Sequence, residues 1–91
     1  MMVRWAETAA DDLEQIGLYL KENNPSFAHS TVLRIYEAVQ SLRQFPNRGR
    51  FGHIEDTREL IVPRLPYIIV YQVSPKVVHV LRIVHGAERQ Q

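Results

Sequence analysis

Two arginines and one histidine in the second half of the chain, Arg58, Arg82 and His85, are of the types that cleave a phosphodiester bond without a metal. Such cleavage needs cationic donors for the charge that develops on the phosphate oxygens, an acid for the leaving oxygen and a base for the attacking 2′-hydroxyl. Arg58 and Arg82 supply the donors, and His85 supplies the acid. Glu55 or Glu59 is the candidate base. The residue types are therefore those of a metal-independent ribonuclease site.

The spacing of Arg82 and His85 works against that site. They are three residues apart, so a regular strand directs their side chains to opposite faces. A β-bulge or the end of the strand near Gly86 would bring them together. The competing interpretation is that Arg82 extends into solvent or pairs with Glu59. Arg58 has the same two interpretations, as a functional cation or as a solvated one.

Metal and cofactor chemistry finds little support in the sequence. The chain has no cysteine, and its four histidines do not have the spacing of metal ligands. His79 interrupts an apolar run, which favours a core or edge histidine. The sequence contains neither a glycine-rich phosphate loop nor a Ser/His/Asp nucleophile set. We therefore expect no metal and no cofactor.

Three apolar runs must position the candidate residues. Residues 58–62, 67–73 and 77–85 are rich in β-branched and aromatic side chains, and proline-containing turns separate them. This pattern predicts a three-stranded antiparallel meander. The second and third runs are largely apolar at both parities, so we expect both faces of the sheet to be covered. Helices from a chain this short cover one face, and the other face is predicted to need a partner.

Two amphipathic segments precede the meander. Apolar residues recur at spacings of three and four, first at Ala9, Leu13, Ile16 and Leu20, and then at Ala28, Val32, Ile35, Val39 and Leu42. Thr8 and Asp11 fit a capping box at the start of the first helix. Pro25 separates the two helices, because proline disfavours helical geometry in the residue before it. The pattern predicts an antiparallel helical hairpin, preceded by a short strand at residues 2–5.

A loop rich in proline, glycine and arginine follows the second helix at residues 45–52. Phe45 is predicted to fill part of the core. Arg48 and Arg50 place positive charge beside two glycines, where they could approach an acidic partner or remain solvated. The net charge is only +1, so the chain lacks the dense basic clusters typical of nucleic-acid binding.

These elements predict one α+β domain over residues 1–91, with a helical hairpin packed on a twisted, mainly antiparallel sheet of three to four strands. The longest apolar run, residues 67–71, is far shorter than the roughly 20 residues of a membrane helix. Together with the absence of a signal peptide and of cysteine, this predicts a cytoplasmic protein that makes no contact with a membrane.

The order of these motifs resembles the RelE/ParE superfamily of bacterial type II toxin–antitoxin systems. The resemblance covers nearly the whole chain. Its residues are Trp5, Ala9 and Asp12-Leu13, then Phe45-Pro46 with Gly49-Arg50, then Thr57-Arg58-Glu59-Leu60, Pro66 to Tyr71, and Val80 to Gly86. The closing His85-Gly86 is more similar to the ParE branch than to the RelE branch.

The resemblance implies a toxin that a cognate antitoxin neutralises, with the C-terminal segment of the antitoxin lying in an apolar groove. A ParE-like toxin would inhibit DNA gyrase by binding, and would contact DNA only through the antitoxin complex. The alternative is a RelE-like endoribonuclease that cleaves messenger RNA on the ribosome.

The two branches give the same arginines different roles. On the ribonuclease alternative, Arg58, Arg82 and His85 are catalytic, although no tyrosine follows His85 as it does in some relatives that cleave RNA. On the ParE-like interpretation, the residues expected to contact partners are Arg48, Arg50, Arg58 and Arg82.

Overall fold

The computed structural model describes residues 1–89, with side chains described through residue 87. The chain forms β1 (Met2–Trp5), α1 (Glu7–Asn23), α2 (Pro25–Ser41), β2 (Arg50–Phe51), β3 (Arg58–Ile61), β4 (Tyr67–Val73) and β5 (Val77–His85). A 3-10 turn, Gly86–Arg89, follows β5, where the sequence predicts no further element.

The strands form one sheet in the order β1-β5-β4-β3-β2. β1 runs parallel to β5, and the other neighbours are antiparallel. The predicted α+β class is therefore confirmed. The sheet has five strands rather than three to four, because Arg50 and Phe51 pair with Glu59 and Arg58 where the sequence predicts only a loop.

The helical hairpin lies on one face of the sheet. Ala9 of α1, Ile35 and Val39 of α2, and Leu42 directly after α2 are fully buried against the inward side chains of the strands. Because strand side chains alternate between faces, Tyr67, Ile69 and Tyr71 of β4 all join this core. Both tyrosines are therefore packing residues of this core.

The opposite face of the sheet carries a smaller apolar cluster. Ile68, Val70 and Val84 are each 8% exposed or less within the single chain. The predicted bare apolar surface is thus largely absent at these positions. Ile61, which pairs with Ile68 in the register, is the exception at 49% exposed.

Two local predictions are wrong. Thr8 does not cap α1, since the cap position is Ala6 and the Thr8 hydroxyl donates to the Leu81 carbonyl instead. Phe45 does not fill the core, since 55% of it is exposed. The buried ring of Tyr71 occupies the core on that side, and its hydroxyl contacts the loop that follows α2.

An irregularity in β5 decides where its polar residues lie. Tyr71 pairs with Val80 and Val70 pairs with Arg82, so Leu81 is an extra residue in β5. β1 pairs with β5 only as far as Val80. The edge of β5 beyond that point lies next to α1. None of the described helices is long and apolar enough to cross a membrane.

Candidate functional site

Arg58 begins β3 and lies directly opposite Tyr71. One of its terminal nitrogens donates to the Gly49 carbonyl at 2.8 Å and to the Asn47 carbonyl at 3.3 Å. Its guanidinium carbon lies 4.4 Å from the centre of the Phe51 ring, within the range of a cation–π contact. Arg58 therefore holds the loop after α2 against the sheet.

The Tyr71 hydroxyl fixes the same loop from inside the core. It accepts the Gly49 N–H at 2.8 Å and donates to the Pro46 carbonyl at 2.8 Å. Burial raises the pKa of this hydroxyl above its ordinary value, and the Gly49 N–H and the nearby cations Arg58 and Arg48 offset only part of that rise. The group thus remains a neutral donor at physiological pH.

Gly49 is required by the closeness of this contact. A Cβ atom there would lie 2.7 Å from the Tyr71 hydroxyl oxygen and 2.9 Å from the Glu59 carbonyl oxygen. Both distances are too short for carbon, and one of the two atoms belongs to the backbone of the sheet. The loop can reach the sheet this closely only with glycine.

A polar cleft of about 740 Å³ opens beside Arg58. We call it the Arg58 cleft. Asn47, Gln72, Ser74 and His79 contribute polar groups to its wall, and His79 Nε2 lies 3.3 Å from the Ser74 hydroxyl. Asp56 also lines the cleft, so its wall carries charges of both signs and suits a polar side chain.

The other two loop arginines make different contacts. Arg50 lies 3.3 Å from the Glu59 carboxylate, whose side chain is only 1% exposed. Arg48 donates to the Ser41 hydroxyl at 2.7 Å. Glu59 therefore faces Arg50. The sequence left open whether Arg82 extends into solvent or pairs with Glu59, and the structure instead bonds it to Asp12. Glu55, the other candidate base, is exposed in the turn between β2 and β3.

Arg82 instead forms a two-point pair with Asp12 of α1. Its Nε lies 2.7 Å from one carboxylate oxygen, and a terminal nitrogen lies 3.0 Å from the other. The same carboxylate accepts the Ile83 backbone N–H at 2.9 Å. β1 pairs with β5 only as far as Val80. Beyond that point, Thr8 and Asp12 of α1 form the hydrogen bonds to the backbone of β5, at Leu81 and Ile83.

Arg82 and His85 line one cleft of about 350 Å³, together with Asp12, Tyr19 and Tyr67. We call it the His85 cleft. Arg82 directly follows the bulge in β5 and lies at the edge of the sheet, so its side chain contacts α1. It therefore lies in the same cleft as His85, although a regular strand would direct residues three apart to opposite faces. The His85 ring meets the Tyr67 ring edge-on, with 5.6 Å between centroids.

Hydrogen bonding orients the His85 ring. Its Nδ1 accepts the Ala87 backbone N–H at 3.1 Å, which leaves any proton of a neutral ring on Nε2. Burial, and then the proximity of Tyr19, raise the pKa of Tyr67 above its ordinary value. The His85 cleft therefore contains an imidazole, a neutral phenol and a cation that is already paired with the Asp12 carboxylate.

Arg58 does not join this group. Arg58 pairs with Tyr71 and His85 pairs with Tyr67, which places them four residues apart along β4. At about 3.3 Å per residue this separates the two backbones by roughly 13 Å along the strand. The structure brings together two of the three candidate catalytic residues and places the third in a different cleft. Among the described residues no cluster of three metal-ligating side chains occurs.

An apolar groove runs over the helical hairpin. We call it the hairpin groove. It has a volume of about 430 Å³ and is lined by Trp5, Leu13, Gly17, Val32 and Tyr36 among others. The Trp5 and Tyr36 rings are stacked, with 6.3 Å between centroids. Its apolar walls suit an apolar side-chain row from another chain.

Sequence reasoning missed the role of Asp12. In the sequence it is one of several acidic residues in the first turns of α1, and only the family resemblance includes it. The available signal was its position, since Asp12 lies three residues from Ala9 and four from Ile16 on the stripe that faces the core. A carboxylate beside a buried stripe predicts a partner on the neighbouring element.

Comparison with known proteins places the chain in a family. The sequence model described as the ParE toxin of the type II toxin–antitoxin system parDE matches residues 3–90. Y4kP of Sinorhizobium fredii, whose name marks it as an inferred toxin, is 38% identical over 96% of this chain and 90% of its own length. Toxin RelE2 of Caulobacter vibrioides is 36% identical over 93% of this chain and 94% of its own length.

A solved structure agrees with these sequence relatives. A chain of the chromosomal ParDE toxin–antitoxin system of P. aeruginosa superimposes with a TM-score of 0.87 at 31% identity, and the match covers 93% of this chain and 95% of that one. Each match spans nearly the full length of this chain and of the chain it is compared with, so it includes the sheet, the hairpin and both clefts. The protein is a member of the ParE toxin family, within the RelE/ParE superfamily of type II toxin–antitoxin systems.

Proposed function

We propose that this toxin acts in the cytoplasm by binding and inhibiting DNA gyrase, without catalysis of its own, and that a cognate antitoxin neutralises it. The observation that carries the proposal is the division of the candidate catalytic residues between two clefts. Cleavage of RNA needs its donors, acid and base around one phosphate. Here Arg58 binds loop carbonyls roughly 13 Å away along β4 from His85.

The contacts of the remaining groups also favour binding over cleavage. Arg82 is paired with Asp12 by two hydrogen bonds, and Glu59 is buried against Arg50. A ribonuclease would have to release at least one of these pairs before its substrate could use them. A protein that acts by presenting a surface needs no such rearrangement.

The hairpin groove is the proposed seat of the antitoxin. Its walls are apolar and it lies between two helices, which suits an amphipathic segment presenting a row of apolar side chains. Promoter DNA would then be contacted by the antitoxin part of the complex, because the toxin has a net charge of only +1.

The second candidate function is ribosome-dependent cleavage of messenger RNA. The observation in its favour is the His85 cleft, where Arg82, His85 and the neutral phenol of Tyr67 meet. A relative of comparable identity carries the name RelE2. On this function the proton donor would be His85 through Nε2, since Nδ1 accepts the Ala87 N–H.

One pair of measurements separates the two functions. The purified toxin is added to a gyrase supercoiling assay, and transcript ends are mapped in translating cells after induction of the toxin. We expect loss of supercoiling without codon-phased cleavage, and we expect His85→Ala to retain growth inhibition within about threefold. Codon-phased cuts with unaffected supercoiling, abolished by His85→Ala in a folded variant, would overturn the proposal in favour of the ribonuclease.

A further inference from the structure

One charged residue lines the otherwise apolar hairpin groove. It is Glu14 of α1, and the remaining lining residues are Trp5, Ala10, Leu13, Gly17, Val32 and Tyr36. Glu14 is exposed, and within the described part of the chain its carboxylate forms no ion pair. The groove therefore offers an occupant apolar walls together with one unpaired negative charge.

The spacing of residues along α1 places Glu14 in the middle of the groove. Ala10, Glu14 and Gly17 follow one another at intervals of four and three, so they lie on one face of the helix, beside the stripe that packs on the sheet. Ala10 and Gly17 are small, and roughly 10 Å of helix separates them. They leave room for one large side chain on each side of Glu14.

The cations of β1, of the two helices and of the turn after α2 lie at the ends of the groove or outside it. Lys21 is on the same face of α1 as Glu14, but two turns away, roughly 10 Å along the axis. Arg43 follows the C-terminal end of α2, and Arg34 lines a different depression. Arg4 precedes Trp5 in β1, so its side chain leaves the sheet on the other face. The middle of the groove is therefore acidic.

An occupant that covers the groove removes the Glu14 carboxylate from water. Burial of a carboxylate is unfavourable unless a cation pairs with it, so an entirely apolar occupant is disfavoured. A phosphate backbone is disfavoured as well, because Glu7 and Asp11 are exposed on the same helix and add negative charge. The groove instead suits a protein segment that carries a basic residue within its apolar row.

We propose that the hairpin groove binds a helix of the antitoxin in which two large apolar side chains, seven residues apart, pack over Ala10 and Gly17. A lysine or arginine between them pairs with Glu14. The inference rests on the proposed function for the identity of the occupant as an antitoxin. Glu14 then determines partner choice, since an antitoxin with an acidic residue at that position meets a like charge and is rejected.

Trp5 reports directly on occupation of the groove. It is the only tryptophan of the chain, it lines the groove, and its ring is stacked on Tyr36. Its fluorescence emission should shift to shorter wavelength when an occupant excludes water from the ring. Binding of a peptide without tryptophan can therefore be followed by titration of the whole toxin.

The first test compares two synthetic amphipathic helical peptides, both without tryptophan, that differ at one position. Between two leucines seven residues apart, one peptide carries lysine and the other carries glutamate. We expect the lysine peptide to bind the wild type at least about tenfold more tightly, and Glu14→Lys to reverse that order. Equal affinities of the two peptides for the wild type, or tighter binding of the glutamate peptide, would overturn the inference.

Glu37→Lys is the matched control, because it makes the same change of charge at an exposed residue of α2 outside the groove. It should keep the preference for the lysine peptide within about threefold of the wild type. Glu14→Gln, which keeps the size of the side chain, should lose most of that preference. Thermal unfolding first shows that each variant folds as the wild type does. A preference lost equally in Glu37→Lys and Glu14→Lys would overturn the local pairing in favour of overall charge.

The second test uses the product of the reading frame that adjoins the toxin gene. In titration calorimetry we expect Glu14→Lys to weaken its binding at least about thirtyfold, and Glu37→Lys to weaken it by less than about threefold. A change of the matching basic residue of that product to glutamate should restore its affinity for Glu14→Lys. Equal binding of the product to the wild type and to Glu14→Lys would overturn the inference and leave the proposed function standing.

The remaining outcomes separate the inference from the proposed function and from other occupants. If the adjoining product does not bind the wild type, the proposed neutralisation by that product fails, and the peptide titrations alone decide whether the groove selects a basic occupant. A shift of Trp5 emission when the toxin alone is concentrated, with a dimer in sedimentation, would assign the groove to a second copy. A shift on addition of duplex DNA would assign it to nucleic acid. Either result would overturn the inference.

Discussion

Arg58 and Arg82 are both arginines of the sheet, in β3 and β5, and they stabilise different parts of the fold. Arg58 donates to backbone carbonyls of the loop after α2, beside a buried tyrosine that bonds the same loop. Arg82 pairs with the Asp12 carboxylate of α1, which also accepts a backbone N–H from β5. One arginine holds a loop on the sheet, and the other holds a helix at its edge.

The difference shows how the same residue type divides into roles by the partner it meets. At the contact of Arg58 and Tyr71 with the loop after α2, here called the loop end, packing is so close that Gly49 leaves no room for a Cβ atom beside the Tyr71 hydroxyl. The contact between Arg82 of β5 and Asp12 of α1, here called the helix end, is an ion pair in which the Arg82 side chain remains 51% exposed. We expect substitutions at the loop end to act through sterics, and those at the helix end to depend on salt and charge.

Gly49→Ala tests the packing at the loop end and should have the largest effect. The new Cβ would contact the Tyr71 hydroxyl oxygen and the Glu59 carbonyl at less than 3 Å, and the carbonyl cannot move without opening the sheet. We expect a loss of about 3 kcal/mol in the free energy of unfolding, measured by urea denaturation.

Gly17→Ala is the matched control. Its Cβ would meet only Val32 Cγ2 at 3.4 Å, an ordinary contact, and alanine favours the α1 helix by up to about 1 kcal/mol. A neutral or stabilising effect is expected. Equal losses in the two variants would show that the loop end is no more tightly packed than the hairpin.

Asp12→Ala tests the charge at the helix end. It removes the carboxylate that accepts two hydrogen bonds from Arg82 and one from the Ile83 N–H. We expect a loss of about 1.5 kcal/mol, reduced from the value of a buried pair because Arg82 is half exposed. The loss should shrink in 1 M salt.

Asp11→Ala provides the comparison for that measurement, because Asp11 is the exposed neighbour on the same turn. It should change the free energy of unfolding by less than about 0.5 kcal/mol. A loss in Asp11→Ala as large as that in Asp12→Ala would mean that the helix dipole, and not the contact with β5, accounts for the effect.

The sequence predicts the parts of this fold that depend on periodicity. The two helices, their break at Pro25 and the strands β3, β4 and β5 all follow from the sequence pattern. The sequence pattern does not predict contacts between residues that are distant in the chain. Phe45 and Tyr71 are both apolar candidates for the core, and only packing decides that Tyr71 enters while Phe45 stays exposed.

The same reason explains the errors at the candidate site. The partner of Arg82 lies 70 residues away in the chain, and the strand period gives no information on which helix residue meets a sheet edge. The bulge at Leu81 also has no composition signal such as a glycine, although it determines where Arg82 lies. The sequence identifies the reactive residue types, and tertiary contacts decide which of them meet.

Tyr71→Phe measures how much the Tyr71 hydroxyl, through its two hydrogen bonds to the loop after α2, contributes to stability. At pH 7 we expect a loss of about 1 kcal/mol, since the Gly49 N–H and the Pro46 carbonyl each lose a partner. Burial raises the pKa of this hydroxyl in the folded state above its unfolded value of 10. Its stabilising contribution is therefore complete below pH 10 and declines as the pH rises through the folded-state pKa. The difference in stability between the wild type and Tyr71→Phe should narrow above pH 10, and a difference that stays constant or widens would contradict a neutral, donating hydroxyl at this position.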